Sequence, residues 1–285
     1  MFSRENMWKV SFLRVFWILA LILFCLLLTP AIRQLFFEHF GRWLYILLFA
    51  FATAALLTPL MMFIAVRIGI VDAPGGRKIH TRVTPLLGGV AIIISFISAL
   101  LANMILDVRD VALIAGGTVM AIVGLIDDWK SISARYKLFI QVCVVIVLIR
   151  SGIILDLFPI HTTWGYLLNA ALSIIWIVGL TNAMNFIDGM DGLATGVSAI
   201  MSLFMGIVAF QTHQPFMGWI AIAMLGSCLG FLPFNFSLHK PASIFLGDAG
   251  STFFGFVLSA LASRPPGRTT TPSSLSPPPF SSSGC

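Results

Sequence analysis

Along most of this chain, long apolar runs alternate with short polar gaps. Each run is near the length that a ~30 Å hydrocarbon layer demands of a helix. The pattern predicts nine spans, roughly residues 12–32, 43–66, 84–104, 111–126, 138–155, 166–183, 193–212, 215–234 and 249–263. The expected fold is therefore all-α: a polytopic transmembrane helical bundle whose polar loops carry the chemistry. Residues 1–263 form this integral membrane domain, and the first run reads as an uncleaved signal anchor. From Arg264 the chain turns abruptly to RPPGRTTTPSSLSPPPFSSSGC. A segment so rich in Pro, Ser and Thr builds neither a span nor a core. Residues 264–285 are expected to be a disordered tail, read as a truncated or out-of-frame end.

Composition agrees. Of 285 residues, 59% are hydrophobic and 10% charged, with a mean hydropathy of +1.00; a soluble domain carries about 25% charged residues. The net charge of +6 does not mark a nucleic-acid partner, because the basic residues cluster in loops flanking the spans. With the N-terminus inside, Arg4, Lys9, Arg14, Arg67, Arg77, Lys78, Arg82, Lys130, Arg135, Lys137 and Lys240 face the cytoplasm. Arg33, Arg42, Arg109 and Arg150 face out, so this orientation is preferred. Cys25, Cys143 and Cys228 lie within apolar runs without metal-ligand spacing, and Cys285 ends the tail.

Six of the eleven acidic residues fall in four gaps that span parity places on one side of the membrane: VDAPGGRKIHTR, IDDWK, NAMNFIDGMDG and FLGDAGS. A carboxylate beside hydrocarbon is costly and needs a reason. Asp127 and Asp128 end an apolar helix, where the dipole disfavours negative charge. A divalent cation would offset them, and so would Lys130, Arg135 or Lys137 in an ordinary solvated loop. Asn182, Asn185, Asp188 and Asp191 recur every three residues, a spacing that gathers side chains on a helix; a glycine-rich turn with local capping is the plainer reading. Asp248 sits at the entry to the last span, where an acid also serves as a first-turn cap. Arg77, Lys78, His80 and Arg82 form either a phosphate cradle or ordinary cytoplasmic positive charge.

Together the segments VDAPGGRKIHTRVTPLLGG, GLIDDWKSISARYKLFIQ, TNAMNFIDGMDGLATG and FLGDAGSTFFG resemble the polyprenyl-phosphate N-acetylhexosamine-1-phosphate transferases (glycosyltransferase family 4), in the N-acetylglucosamine-1-phosphate branch. The resemblance runs from about Leu57 to Leu261. It implies transfer of a sugar-1-phosphate from a UDP-amino sugar to a polyprenyl phosphate such as undecaprenyl phosphate, releasing UMP, in a bacterial inner membrane with the active site cytoplasmic. It implies Mg²⁺, with Mn²⁺ as a substitute, held by Asp248 and Asn185. Asp127, with Asp128 beside it, would be the base or nucleophile-activating acid, and Lys137 would face phosphate. Asn182, Asp188 and Asp191 would organise the nucleotide-sugar pocket, assisted by Lys78 and His80. Relatives are often homodimers. Two departures stand out: Val83 replaces a common Pro, and the family's later His-rich loop and further spans are missing. The competing readings are a catalytically inactive truncated member and a membrane transporter using the acids as an ion path.

Overall fold

The computed structural model describes residues 4–72, 83–105, 108–237 and 241–263. Its helices are α1 (Arg4–Leu27), α2 (Pro30–Leu35, continued by a π turn over Phe36–Phe40), α3 (Arg42–Ile68), α4 (Gly88–Ala102), α5 (Val108–Trp129), α6 (Ala134–Arg150), α7 (Thr163–Ile187), α8 (Leu193–Gln211), α9 (Pro215–Asn235) and α10 (Gly247–Ala262). One antiparallel pair of short strands, β1 (Val71–Asp72) and β2 (Thr84–Pro85), closes the loop between α3 and α4 with Val71 opposite Pro85. The polytopic all-helical expectation holds.

The expected count of nine spans is not borne out. Among the described residues five helices are long and apolar enough to cross a membrane: Arg42–Ile68, Arg109–Trp129, Thr163–Ile187, Leu193–Gln211 and Pro215–Asn235. A sixth arises only if α1 and the α2 segment form one bent span; they meet at 82°. The bend has a local cause. Pro30 cannot continue α1, but it suits the first turn of a new helix. The apolar runs at α4, α6 and α10 do form helices, but of 15, 17 and 16 residues. At 1.5 Å per residue each reaches only about 22–26 Å, short of the ~30 Å core.

The shortness of α10 is resolved by where it lies. Phe253, Phe254, Phe256 and Val257 are all fully buried, and the helix packs against α4, α5, α7 and α8. A helix apolar on every side belongs in the centre of a bundle. Close packing elsewhere relies on small residues, because lipid supplies little hydrophobic drive between helices. On α9, Gly226 and Gly230 let α3 approach so tightly that an added Cβ would lie 2.4 Å from the Leu47 carbonyl oxygen and 2.3 Å from that of Phe51. Of the cysteines, Cys25 and Cys143 are exposed and Cys228 is buried, all free thiols. Cys285 and the rest of the Pro/Ser/Thr tail lie outside the described residues.

Candidate active site

The site is built around the first turn of α10. A helix N-terminus leaves backbone N–H groups without intrahelical partners. Here a side chain from α5 supplies the acceptors: Asp128 Oδ1 takes the N–H of Asp248 at 2.9 Å, and Oδ2 takes that of Ala249 at 3.2 Å. Two backbone features allow this. Gly247 adopts a left-handed φ of 76°, and a Cβ there would sit 2.6 Å from the Asp128 carboxylate. Gly124, one turn earlier on α5, lies so close that its Cβ would be 2.4 Å from the Asp248 carbonyl oxygen. The start of α4 braces the other side, with Gly88 and Gly89 donating to the carbonyls of Phe245 and Leu246 at 3.1 and 2.8 Å.

Beside this cap sits a charge cluster drawn from three helices. Lys137 Nζ of α6 donates to Asp248 Oδ2 at 2.8 Å and also bonds Asp127 Oδ2 of α5. Asp127 Oδ1 accepts the Ile132 N–H at 2.6 Å, closing the turn after α5. Asn185, in the last turn of α7, hydrogen-bonds Asp248 and donates to Ser251 Oγ at 3.0 Å. Asp188 caps the C-terminus of α7. Asp191 accepts the Ala242 N–H at 2.7 Å, tying the α7–α8 turn to the segment that leads into α10. Asn235, donating to the Ile244 carbonyl at 3.0 Å, anchors that segment from α9.

A cavity of about 590 Å³ opens here, lined by acids including Asp72, Asp128, Asp188, Asp191 and Asp248. The structure thus brings Asp127, Asp128, Lys137, Asn185, Asp188, Asp191 and Asp248 to one end of the bundle. Asn182 is placed differently. It is absent from the described lining and faces α6, where its amide donates to Gln141 Oε1 at 2.8 Å. Lys78 and His80 lie outside the described residues. Asp72 had no role assigned from sequence, yet it lines the cavity; its presence among the six clustered acids was the available signal. Gln141, fully enclosed between α6 and α7, was invisible because a lone glutamine in an apolar run carries no pattern.

The electrostatics follow from crowding. Burial, then the charges of Asp248, Asp128 and Asp191, push Asp188 up to about 8. Asp248 is raised too, by burial first and then by its hydrogen bond with Asp127, while Lys137 and Asn185 pull the other way. Burial alone would lower Lys137, but its bonds to Asp127 and Asp248 raise it above the usual lysine range. A site that raises its own carboxyls in this way favours added positive charge. The donors are all hard oxygens, the set that suits a Mg²⁺-type cation. Among the described residues no group of three or more His, Cys, Asp or Glu is arranged to hold a metal alone. The residues fit a divalent cation that keeps part of its shell for water or phosphate, which is the usual habit of Mg²⁺.

Fold and site together define a polytopic helical membrane protein with an acidic, lysine-bridged cavity at one end of its bundle. Comparison with known sequences gives the family: the model of glycosyl transferase family 4 matches residues 110–264, more than half of the chain, and the chain belongs to that family. It is 36% identical over 216 residues to a probable undecaprenyl-phosphate N-acetylglucosaminyl 1-phosphate transferase of Bacillus subtilis, covering 74% of this chain and 59% of that protein. It is 34% identical over 228 residues to a decaprenyl-phosphate N-acetylglucosaminephosphotransferase of Mycolicibacterium smegmatis, covering 72% and 55%. A phospho-N-acetylmuramoyl-pentapeptide-transferase of Streptococcus pneumoniae is 34% identical over 216 residues, covering 66% and 64%. The chain therefore spans less than two thirds of the length of these relatives.

Proposed function

We propose that this chain carries the catalytic core that transfers N-acetylhexosamine-1-phosphate, with N-acetylglucosamine the favoured sugar, from a UDP-sugar to a polyprenyl phosphate. The observation that carries the reading is the convergence of Asp127, Lys137, Asn185 and Asp248 from four helices beside an open acidic cavity. The names of the relatives supply the substrate class. A transporter would place its acids in mid-span along a path; this cluster sits at helix ends.

In the reaction, an oxygen of the lipid phosphate attacks the sugar-bearing phosphorus of the donor. A new phosphorus–oxygen bond forms, the diphosphate bond breaks, and UMP leaves with the electron pair. The lipid phosphate is already ionised at neutral pH, so positioning and charge neutralisation are the main tasks. Lys137, held by two carboxylates, presents a fixed positive charge to phosphate. Asp127 holds Lys137 and orients the attacking group. Asp188 and Asp191 face the donor, and Asp128 fixes the first turn of α10 so that Asp248 projects into the site. Asp248 and Asn185 would hold Mg²⁺, or Mn²⁺ in its place, which when bound polarises the diphosphate and stabilises the leaving group.

The acceptor's hydrocarbon tail explains why the site lies at a membrane surface. The same reading places that surface at the cytoplasmic side of a bacterial inner membrane, where a soluble nucleotide sugar is at hand. A homodimer, implied by the resemblance, is tested by the mass of the purified chain in detergent. The transfer itself is tested in membranes containing the chain, supplied with labelled UDP-N-acetylglucosamine, undecaprenyl phosphate and Mg²⁺. Label should enter the lipid with release of UMP, and Asp248→Ala should reduce the rate by roughly a hundredfold or more. An unchanged rate in Asp248→Ala would overturn the metal assignment, and uptake of the sugar without UMP release would overturn the transfer.

A further inference from the structure

A second cavity, of about 620 Å³, lies at the other end of the bundle, lined by Leu28, Pro30, Arg33, Gln34, Phe37, Glu38, Tyr45, Phe49 and Ala102. Its place follows from α3, whose first turns carry Tyr45 and Phe49 while its last turn leads to β1 and the acidic cavity. A helix of 27 residues separates its ends by about 40 Å. The floor is α2 with its π turn, which leaves α1 at 82° and so runs roughly along a membrane surface if α1 crosses the bilayer. Leu35, Phe40 and Trp43 on and beside this segment are exposed, the pattern of a helix seated at the interface between water and hydrocarbon.

The cavity holds separated charges of both signs. Arg33 donates to the Ala102 carbonyl at 3.2 Å and lies 5.3 Å from the Phe37 ring centre. Arg42 approaches the same ring at 5.9 Å and the Trp219 ring at 4.4 Å, and its Nε is buried without a hydrogen-bond partner. Glu38 takes a hydrogen bond from Gln34 at 2.7 Å. Among the described residues, Arg33 and Glu38 are not ion-paired with each other, and no carboxylate pairs with Arg42. Apolar walls at Leu28, Phe37, Phe49 and Ala102 adjoin them.

We propose that this cavity binds the head group of a phospholipid carrying both a phosphate and a primary ammonium, of the phosphatidylethanolamine type. The phosphate meets Arg33, with the positive charge of Arg42 behind Phe37, because guanidinium groups suit phosphate oxygens. The ammonium meets Glu38, and the acyl chains leave along the apolar wall. A choline head group has the same charges but no N–H to donate to Glu38. A glycerol head group has no cation.

Native mass spectrometry of the full chain tests this, after exchange in detergent with an equal mixture of phosphatidylethanolamine, phosphatidylcholine and phosphatidylglycerol. The chain should retain roughly tenfold more of the ethanolamine lipid than of either competitor, the discrimination expected of one charged hydrogen bond. Glu38→Gln should remove the preference over phosphatidylcholine, and Arg33→Gln should lower retention of all three lipids. Equal retention by the unmodified chain would overturn the proposal without reference to any variant. So would a preference that survives Glu38→Gln in protein whose melting temperature is unchanged. Displacement of the lipid by millimolar inorganic phosphate alone would instead assign the cavity to free phosphate, against the proposal.

Discussion

At the scale of single residues, neighbouring acids divide the work. Asp127 and Asp128 are adjacent in sequence, yet Asp127 turns to Lys137 while Asp128 turns to the backbone of α10. Asp128→Ala should therefore destabilise the protein by about 1–2 kcal/mol, the loss typical of a helix cap. Asp127→Ala should leave the melting temperature closer to that of the parent, because Lys137 keeps Asp248 as a partner. Thermal unfolding in detergent checks the contrast. The acids themselves were legible in the sequence, because charge is conspicuous in an apolar chain. Their division of labour was not, because it depends on which helix end each carboxylate meets. Asn182 shows the limit well: the three-residue spacing with Asn185 and Asp188 put it on the right face of the chain's chemistry, but its amide is satisfied by Gln141 across the α6–α7 contact.

At the scale of elements, the site depends on how closely α5 and α10 approach. Gly124 has the Asp248 carbonyl oxygen within 2.4 Å of where a Cβ would be, and the neighbour is backbone, not a flexible side-chain tip. Gly124→Leu should push the two helices apart, lengthening the Asp128 cap and parting Lys137 from Asp248. The expected outcome is a folded but markedly less stable protein, by about 1–3 kcal/mol, with transfer activity lost more completely than stability. A variant that melts and works like the parent would show that this contact does not position the site. Hydrophobic periodicity foretold the helices well, since each predicted run contains one. It could not tell a lipid-facing span from a central helix such as α10, because both are continuously apolar. Nor did it foretell the 82° turn after Leu27, which the Thr29–Pro30 step produces.

At the scale of the whole molecule, crowded acids should make stability depend on pH and, if the proposed site holds, on cations. Asp188 is pushed up to about 8 in the folded protein, from an ordinary value near 4 in the unfolded chain. A carboxyl raised by folding contributes stability that is full below the unfolded value and is lost as pH rises through the folded one. The melting temperature of cation-free protein should fall between about pH 4 and 8, and saturating Mg²⁺ should flatten that fall. In the proposed function, side chains from α5, α6, α7 and α10 make one cation-dependent site for a sugar nucleotide. Electron paramagnetic resonance of Mn²⁺, titrated into the purified chain with UDP-N-acetylglucosamine, tests it most directly. One Mn²⁺ should be held per chain, lost in Asp248→Ala and retained in a surface variant such as Trp164→Ala. Failure of the unmodified chain to bind Mn²⁺, or undiminished binding by Asp248→Ala, would contradict it.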